Sequence, residues 1–508
     1  MSNHLFDAIR HSIACDDAIF IETADGQRWT YGAMVEWSGR IAGAIDALGV
    51  RSGDRVAAQV EKSAHALMLY LACVRCGAIY LPLNTAYTLA ELDYFIADAE
   101  PRLIVADPKG VDGLKAMASK YGALVETLDE HGGGSLVELA KDQSGDFVDA
   151  SRSADDLAAI LYTSGTTGRS KGAMLTHENL LSNALTLRDS WRFTANDRLI
   201  HALPIFHTHG LFVATNVILV SGASMLLLPK FDPAEVLGLM EHATTMMGVP
   251  TFYVRLLQHA GLTPDVVARM RLFISGSAPL LADTHRAFQQ RTGHAILERY
   301  GMTETNMNTS NPYDGDRIAG TVGLPLQGVS VRVTDLKTGD ILGGDETGMI
   351  EVKGPNVFKG YWRMPEKTQA EFRDDGFFVT GDLGKIDPQG YVHIVGREKD
   401  LVISGGYNIY PKEVESEIDQ IAGVVECAVI GVSHSDLGEA VTAVVVKQPD
   451  SGLDERDILG TLCHRLARYK LPKRIIFVDE LARNTMGKVQ KNVLREEYRD
   501  LYTVRANL

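Results

Sequence analysis

The 508-residue sequence is poor in several features that define common protein classes. Its five cysteines are scattered and odd in number, which disfavours a disulfide framework and favours a reducing compartment. No uninterrupted apolar run reaches about 18 residues, so no segment is expected to span a membrane. A net charge of −15 argues against a broad surface for nucleic acid or anionic lipid. The first residues lack the apolar core of a secretory signal, and we expect a cytoplasmic protein.

The one close pair of cysteines, Cys73 and Cys76, has the spacing of a redox or metal motif. It lies in the apolar run ALMLYLACVRCGAIYL, and no second cluster of cysteine and histidine follows. We therefore expect both thiols to pack within a helix.

Short apolar runs alternate with longer helical patterns through the first three-quarters of the chain. RVAAQV at 55–60 and RLIVAD at 102–107 are such runs, and this alternation predicts an α/β domain with largely parallel sheets. From about 320 to 396, short strands and glycine-rich turns predict a small β-barrel-like unit. Helices and strands then alternate again, which predicts a small, mobile α+β domain. The expected domains are 1–398 and 399–508.

A glycine-rich and hydroxyl-rich loop follows the apolar strand at 157–162, in LAAILYTSGTTGRSKG. Glycines let a backbone approach an anion closely, and hydroxyls and a lysine add donors and charge. The spacing is not that of a Walker A loop, GxxxxGK[ST]. Composition alone fits a phosphate-binding loop and a polar surface loop equally well.

The segment YTSGTTGRSKGAMLTHENL resembles the signature loop of the adenylate-forming superfamily, which includes acyl-CoA synthetases, peptide-synthetase adenylation domains and firefly luciferase. Further segments resemble the family's motifs and follow in its order: PIFHTHG, RLFISGSAPL, LERYGMTET, TGDLG, GREKD, SGGYNIYPKEVE and ARNTMGKVQK. The last departs from the usual pattern at Asn484, Thr485 and Met486 but keeps Gly487 and Lys488. The resemblance covers nearly the whole chain and implies a ligase that joins a carboxylic acid to coenzyme A at the expense of ATP.

The resemblance implies a role for each matching residue. The residues implied to bind ATP are Thr163, Ser164, Gly165, Thr166, Thr167, Gly168, Lys171, Ser277, Ala278, Glu298, Tyr300, Gly301, Met302, Thr303, Asp382 and Arg397. The residues implied to be catalytic are Lys488, His207, Glu304 and Thr303. Mg²⁺ is implied to be held by Glu304 and Thr166, since this hard cation combines carboxylate and hydroxyl oxygens with substrate phosphates.

The family mechanism needs no nucleophilic side chain, because the substrate carboxylate itself attacks the α-phosphorus of ATP. Catalysis is then mainly positioning and charge stabilisation, and Lys488 is implied to stabilise the developing charge. The resemblance also implies a hinge at Lys399, a passage for the thiol of coenzyme A at Gly405 and Gly406, and a domain rotation between the two half-reactions. A lysine acetyltransferase and deacetylase acting on Lys488 would switch the first step off and on.

The residue before Tyr300 indicates which class of carboxylic acid the protein uses as its substrate. Relatives that take aromatic or fatty acids commonly have a small or neutral residue there, whereas Arg299 offers a fork that matches a second carboxylate. The alternative is that Arg299 pairs with Glu298 or another acid outside the pocket. The run ERYGMTET is most similar to malonyl-CoA and methylmalonyl-CoA synthetases. The residues implied to bind the small dicarboxylic acid are Arg299, Arg255, His207, Thr208 and Met307.

Other functions stay open at this point. One is a synthetase for another short or aryl acid, and another is an aminoacyl-adenylating domain serving a carrier protein. The latter usually needs an acidic residue for the amino group, and none stands at 206–210. A luciferase-like oxygenase and a non-catalytic binder are further alternatives. No nucleic-acid or membrane partner is expected, and the sequence predicts no oligomeric state.

Overall fold

The structure, a computed structural model, describes residues 2–163, 170–404, 407–434, 436–484 and 487–502. The chain divides into two compact units. The first comprises Met1–Ser330 and Val352–Phe378, and the second comprises Val331–Glu351 and Val379–Leu508. The domain boundary expected between residues 398 and 399 stays a prediction.

Two α/β sheets form the first unit, with seven and nine strands in the part of the chain that is described. In spatial order, the seven are Gly360–Tyr361, Lys171–Thr176, Leu157–Thr163, Ile79–Pro82, Arg55–Gln59, Leu103–Ala106 and Leu124–Thr127. The nine are Leu324–Pro325, Asn306–Ser310, Leu297–Met302, Leu272–Ser275, Thr245–Gly248, Arg198–His201, Ser224–Leu227, Ile19–Thr23 and Arg28–Thr30. Central neighbours run parallel and antiparallel strands are confined to the ends, which confirms the predicted α/β fold.

Helices connect these strands. The α-helices of the first unit are His4–His11, Tyr31–Ala47, Ala64–Cys76, Leu89–Ala99, Val111–Ala118, Ser135–Lys141, His177–Ser190, Asn216–Ser221, Pro233–Leu239, Pro250–Gln258, Ala282–Thr292 and Pro365–Ala370. A π-helical turn spans His209–Thr215, and 3₁₀ turns span Ser119–Tyr121 and Met240–His242. Among the described helices, none has the length and apolarity needed to cross a bilayer.

The helix Ala64–Cys76 shows how the local sequence sets the ends of an element. Ser63 begins it by accepting a hydrogen bond from the Ala66 amide, and Gly77 ends it in the left-handed conformation at φ +74°. Cys73 and Cys76 are buried free thiols in this helix, as expected. Burial raises the pKa of Cys76 to about 12, so the thiol stays protonated and behaves as a packing group.

The second unit contains most of a four-stranded sheet and an α+β fold around another sheet. The four strands are Ser330–Thr334, Gly348–Lys353, Phe378–Ile386 and Val392–Arg397, which confirms the short strands expected in this region. The other sheet comprises Tyr407–Ile409, Val402–Ser404, Gly438–Lys447, Val424–His434 and Arg474–Val478. The α-helices are Pro411–Asp419, Glu455–Leu462 and Lys491–Glu497, and 3₁₀ turns span Glu398–Asp400 and Arg468–Lys470. Alternate residues of strand Gly438–Lys447 enter two separate cores, one on each face of the sheet.

Candidate active site

The segment predicted to contact the nucleotide forms an antiparallel hairpin. Strand Leu297–Met302 pairs with Asn306–Ser310, with Gly301 opposite Met307. A Cβ at Gly301 would collide with the carbonyl oxygen of Asn306, so the close approach of the two strands requires glycine. The hairpin thereby presents Glu298 through Glu304 as one rigid piece.

Glu304 is linked to Lys171, at the end of the predicted phosphate loop, through the side chains of Tyr361 and Glu371. The Tyr361 hydroxyl lies 3.1 Å from Glu304 Oε1 and 2.7 Å from Glu371 Oε2. Lys171 Nζ lies 3.2 Å from Glu371 Oε1 and 4.0 Å from the centre of the Tyr361 ring. Burial and the two carboxylates raise the pKa of Tyr361, so its hydroxyl stays protonated.

The structure describes only the two ends of the predicted phosphate loop. The strands Leu157–Thr163 and Lys171–Thr176 pair antiparallel, with Thr163 opposite Lys171, so the two ends of the loop lie side by side. The predicted ligands outside the described residues are Ser164, Gly165, Thr166, Thr167, Gly168, Gly405 and Gly406.

Glu304 fits the role of an Mg²⁺ ligand. Its carboxylate is buried and supplies the oxygen donor that this cation prefers. In the described ranges, no three histidine, cysteine, aspartate or glutamate side chains form a cluster that could hold a metal. One carboxylate is nevertheless enough where substrate phosphates and water complete the coordination.

A second group of predicted residues lies beyond the carboxyl ends of two parallel strands that flank Thr245–Gly248 in the same sheet. Strand Arg198–His201 leads to His207 and Thr208, and strand Leu272–Ser275 leads to the turn of Ser277 and Ala278. This is where ligands bind in open α/β sheets. Burial lowers the pKa of His207 to about 4, so its imidazole is neutral at physiological pH.

Arg299 lies in this second group and is buried, with no hydrogen-bond or ion-pair partner in the part of the chain that is described. Its guanidinium packs against Gly276, where any side chain would overlap with it. Neither Nε nor Nη2 has a hydrogen-bond partner among the described residues, and no described carboxylate, that of Glu298 included, forms an ion pair with it. Burial lowers the pKa of Arg299 to about 9, which still leaves it charged at neutral pH.

The two other residues predicted to bind the acid differ in their surroundings. Met307 is buried on the partner strand of the hairpin, where its carbonyl accepts a hydrogen bond from Asn183. Arg255 is exposed on helix Pro250–Gln258, in contrast to the buried Arg299. The role of Arg255 stays a prediction.

The predicted residues of the second unit also lie near one another. Asp382 and Arg397 are opposite each other on paired strands and form an ion pair of 2.5 Å. Desolvation, together with Arg397 and Lys488, lowers the pKa of Lys399 to about 8. Desolvation and Arg397 likewise lower the pKa of Lys488.

The departure from the family pattern before Lys488 has a structural explanation. The Asn484 side-chain oxygen accepts a hydrogen bond of 2.9 Å from the Lys488 amide, and the Asn484 amide donates to the Lys488 carbonyl at 2.9 Å. Asn484 therefore closes the turn that presents the lysine.

The structure adds three side chains to the surroundings of the predicted residues that the sequence motifs do not include: Lys62, Tyr361 and Glu371. Lys62 Nζ lies 2.8 Å from His201 Nδ1 and donates to the carbonyls of His201 and Leu203 at 2.7 and 2.8 Å. It thereby fixes the start of the segment that carries His207. A lone buried lysine carries no sequence signal, because its acceptors are 139 and 141 residues away along the chain.

Comparisons with known proteins identify the family of the chain. The AMP-binding enzyme family matches residues 11–362, and the AMP-binding enzyme C-terminal domain matches 413–488. A malonate–CoA ligase of Arabidopsis thaliana is 33% identical, with 97% of this chain and 90% of the relative covered. A feruloyl-CoA synthase of an Amycolatopsis species is 36% identical, with 93% and 94% covered. The crystal structure of ATP-bound MatB from Rhodopseudomonas palustris is 64% identical with a TM-score of 0.98, covering 99% of this chain and 100% of that one. The chain therefore belongs to the AMP-binding enzyme family, as an acyl-CoA ligase.

Proposed function

We propose that this ligase joins malonate or methylmalonate to coenzyme A through an acyl-adenylate. The observation that carries the proposal is the buried guanidinium of Arg299, which has no partner within the described ranges. Leaving such a charge without a partner is costly, and a carboxylate satisfies two guanidinium N–H groups at once. An acid with an apolar tail would leave Arg299 unpaired, whereas the second carboxylate of a dicarboxylic acid would pair with it.

The relatives support this substrate class and also suggest a competing one. The malonate–CoA ligase of Arabidopsis thaliana supports a dicarboxylate. The feruloyl-CoA synthase, at similar identity, supports an aryl acid as the second candidate. We favour the dicarboxylate because an aromatic ring beside Arg299 would bury its charge without offering an acceptor.

In the proposed reaction the substrate carboxylate attacks the α-phosphorus of ATP and pyrophosphate leaves. The thiol sulfur of coenzyme A then attacks the acyl carbon, loses its proton and displaces AMP. Lys171 and the loop before it hold the β- and γ-phosphates, and Tyr300 and Thr303 contact the adenine and the α-phosphate. When bound at Glu304, Mg²⁺ neutralises charge on the phosphates.

We further propose that the two units take different parts in this sequence. Asp382 and Arg397 bind the ribose hydroxyls, and Lys488 stabilises the charge that develops between the carboxylate and the α-phosphate. Residues 399–508 turn about Lys399 between the half-reactions, and Gly405 and Gly406 admit the pantetheine arm. Acetylation of Lys488 would remove its charge and stop the first step. Mass spectrometry of protein from cells lacking deacetylases would argue against that regulation if it found Lys488 unmodified.

A panel of acids tests the proposed substrate class. The protein is assayed for AMP release with ATP, Mg²⁺ and coenzyme A, using malonate, methylmalonate, propionate and ferulate at equal concentrations. We expect malonate or methylmalonate to give the highest kcat/KM, and removal of Mg²⁺ with a chelator to stop the reaction. A preference for ferulate or propionate would overturn the dicarboxylate proposal while leaving the ligase family intact.

A further inference from the structure

Several buried polar atoms on the segments that carry His209, Ser275 and Arg299 have no hydrogen-bond partner among the described residues. Five such atoms lie on three adjoining segments: Thr208 Oγ1, His209 Nε2, Ser275 Oγ, Arg299 Nε and Arg299 Nη2. Buried polar groups are almost always hydrogen-bonded, so a concentration of unsatisfied ones indicates a polar ligand. His209 stands out, because its role is set neither by the motifs nor by the proposed reaction.

The surroundings of His209 fix one of its two ring nitrogens. The side chain is only 2% exposed, and Nδ1 lies 3.1 Å from Ser277 Oγ. Nε2 has no described partner, and no nitrogen of Arg299 donates to it. Burial and the charge of Arg299 lower the pKa of His209 well below its usual value, so the ring is neutral and carries a single N–H.

A carboxylate bound at Nε2 would therefore favour one of the two tautomers of the His209 ring. A carboxylate only accepts hydrogen bonds, so Nε2 can bind one only when it carries the proton. In that tautomer Nδ1 is an acceptor, and the Ser277 hydroxyl must be its donor. The opposite tautomer would direct an imidazole lone pair at the carboxylate.

We propose that Ser277 donates a hydrogen bond to Nδ1 of His209 and so keeps the ring proton on Nε2, which binds the second carboxylate together with Arg299. This inference rests on the proposed dicarboxylate function and adds His209 and Ser277 to the residues that select the acid.

The backbone of Ser277 supports this arrangement independently. Ser277 has φ +72°, in the left-handed region that residues other than glycine, asparagine and aspartate rarely adopt. Such strained residues persist where the surrounding structure requires them, and they cluster at functional sites. Here the turn directs the hydroxyl at His209 while its neighbour Gly276 leaves room for the guanidinium.

A comparison of two acids tests the proposed binding role. Malonate and its monomethyl ester differ by one negative charge, and both are assayed by ATP–pyrophosphate exchange. We expect His209→Leu to raise KM for malonate about 10- to 100-fold, the range of a hydrogen bond to a charged group, with KM for ATP and for the ester unchanged. His209→Gln, which keeps an N–H near Nε2, should restore part of the loss, and Ser277→Ala should lose less than His209→Leu.

The controls separate this inference from the proposed function. His242→Gln alters an exposed histidine and should change neither KM. Equal losses with malonate and the ester would reduce His209 to a structural role and overturn the inference. A parent enzyme that uses neither malonate nor methylmalonate would instead overturn the proposed function.

The tautomer can be measured without any turnover. In full-length protein labelled with ¹⁵N-histidine, the His209 signals are identified by their loss in His209→Gln. We expect a protonated Nε2 and an unprotonated Nδ1 in the parent, and a redistribution of the proton in Ser277→Ala. A proton on Nδ1 in the parent would refute the proposed role of Ser277.

Discussion

At the scale of single residues, the proposed role of Arg299 in binding the acid would come at the expense of protein stability. Its charge is buried in the ligand-free protein without a described partner, and burial lowers its pKa to about 9. Replacing buried charged groups with apolar residues of similar size stabilises some proteins by about 1–4 kcal/mol. The same cation is what a second carboxylate would pair with.

We therefore expect Arg299→Met to raise the melting temperature of the ligand-free protein and to raise KM for malonate by about 100-fold or more. KM for ATP should change little. Scanning calorimetry and AMP release measure the two effects. The variant Arg255→Met alters the exposed arginine that is also predicted to bind the acid, and a comparable rise in KM there would support that predicted role as well.

At the scale of elements, the hairpin of Leu297–Met302 and Asn306–Ser310 carries five of the sixteen residues predicted to bind ATP. Its geometry depends on the missing side chain at Gly301. Gly301→Ala should lower stability by about 3 kcal/mol or more, since over-packing at backbone has no flexible neighbour to relieve it. It should also abolish adenylation, because Tyr300, Thr303 and Glu304 would be displaced together.

Gly238 provides the control for this prediction. It lies in helix Pro233–Leu239, and a Cβ there meets nothing within 4 Å. Gly238→Ala should be neutral or slightly stabilising, because alanine favours a helix more than glycine does. Similar melting temperatures for the two variants would contradict the packing argument.

The elements were more predictable than their contacts. Strand Arg55–Gln59 and helix Ala64–Cys76 follow from the local pattern, because buried strands and helices have distinct lengths and periods. The link from Lys171 to Glu371 joins residues 200 positions apart, and no local pattern specifies which distant segment completes a site. The roles of Arg299 and Glu304 could be predicted only because the family resemblance indicated which distant segments meet in three dimensions.

At the scale of the whole molecule, the two half-reactions should respond differently to one substitution. Lys488→Ala should abolish formation of the acyl-adenylate, where two negatively charged groups meet, yet retain much of the thioester formation from supplied acyl-adenylate. Pyrophosphate release from ATP reports the first half-reaction, and thioester formation from supplied acyl-adenylate reports the second, with Lys337→Ala in an exposed turn as the control. Equal loss of both half-reactions would contradict the proposed division of roles.

The stability of the whole chain should depend on pH through its buried neutral histidines. Burial lowers the pKa of His177 to about 4, whereas an unfolded histidine titrates near 6.5. Between these values the unfolded chain binds more protons than the folded one, so stability falls as pH falls from 6.5 to 4. His177→Gln should make this fall in melting temperature shallower, whereas His131→Gln, at an exposed position, should not. Identical slopes for the two variants would disprove the contribution of His177.

The burial of Cys73 and Cys76 should allow the exposed thiols of the protein to be labelled selectively with fluorescent dyes. Cys15 in the first unit and Cys463 in the second are its exposed thiols, while Cys427 is partly covered and burial raises its pKa. Maleimide dyes should therefore attach at one position in each unit of the unmutated protein. Energy transfer between a donor and an acceptor so placed would follow any turning of residues 399–508 during a single catalytic cycle.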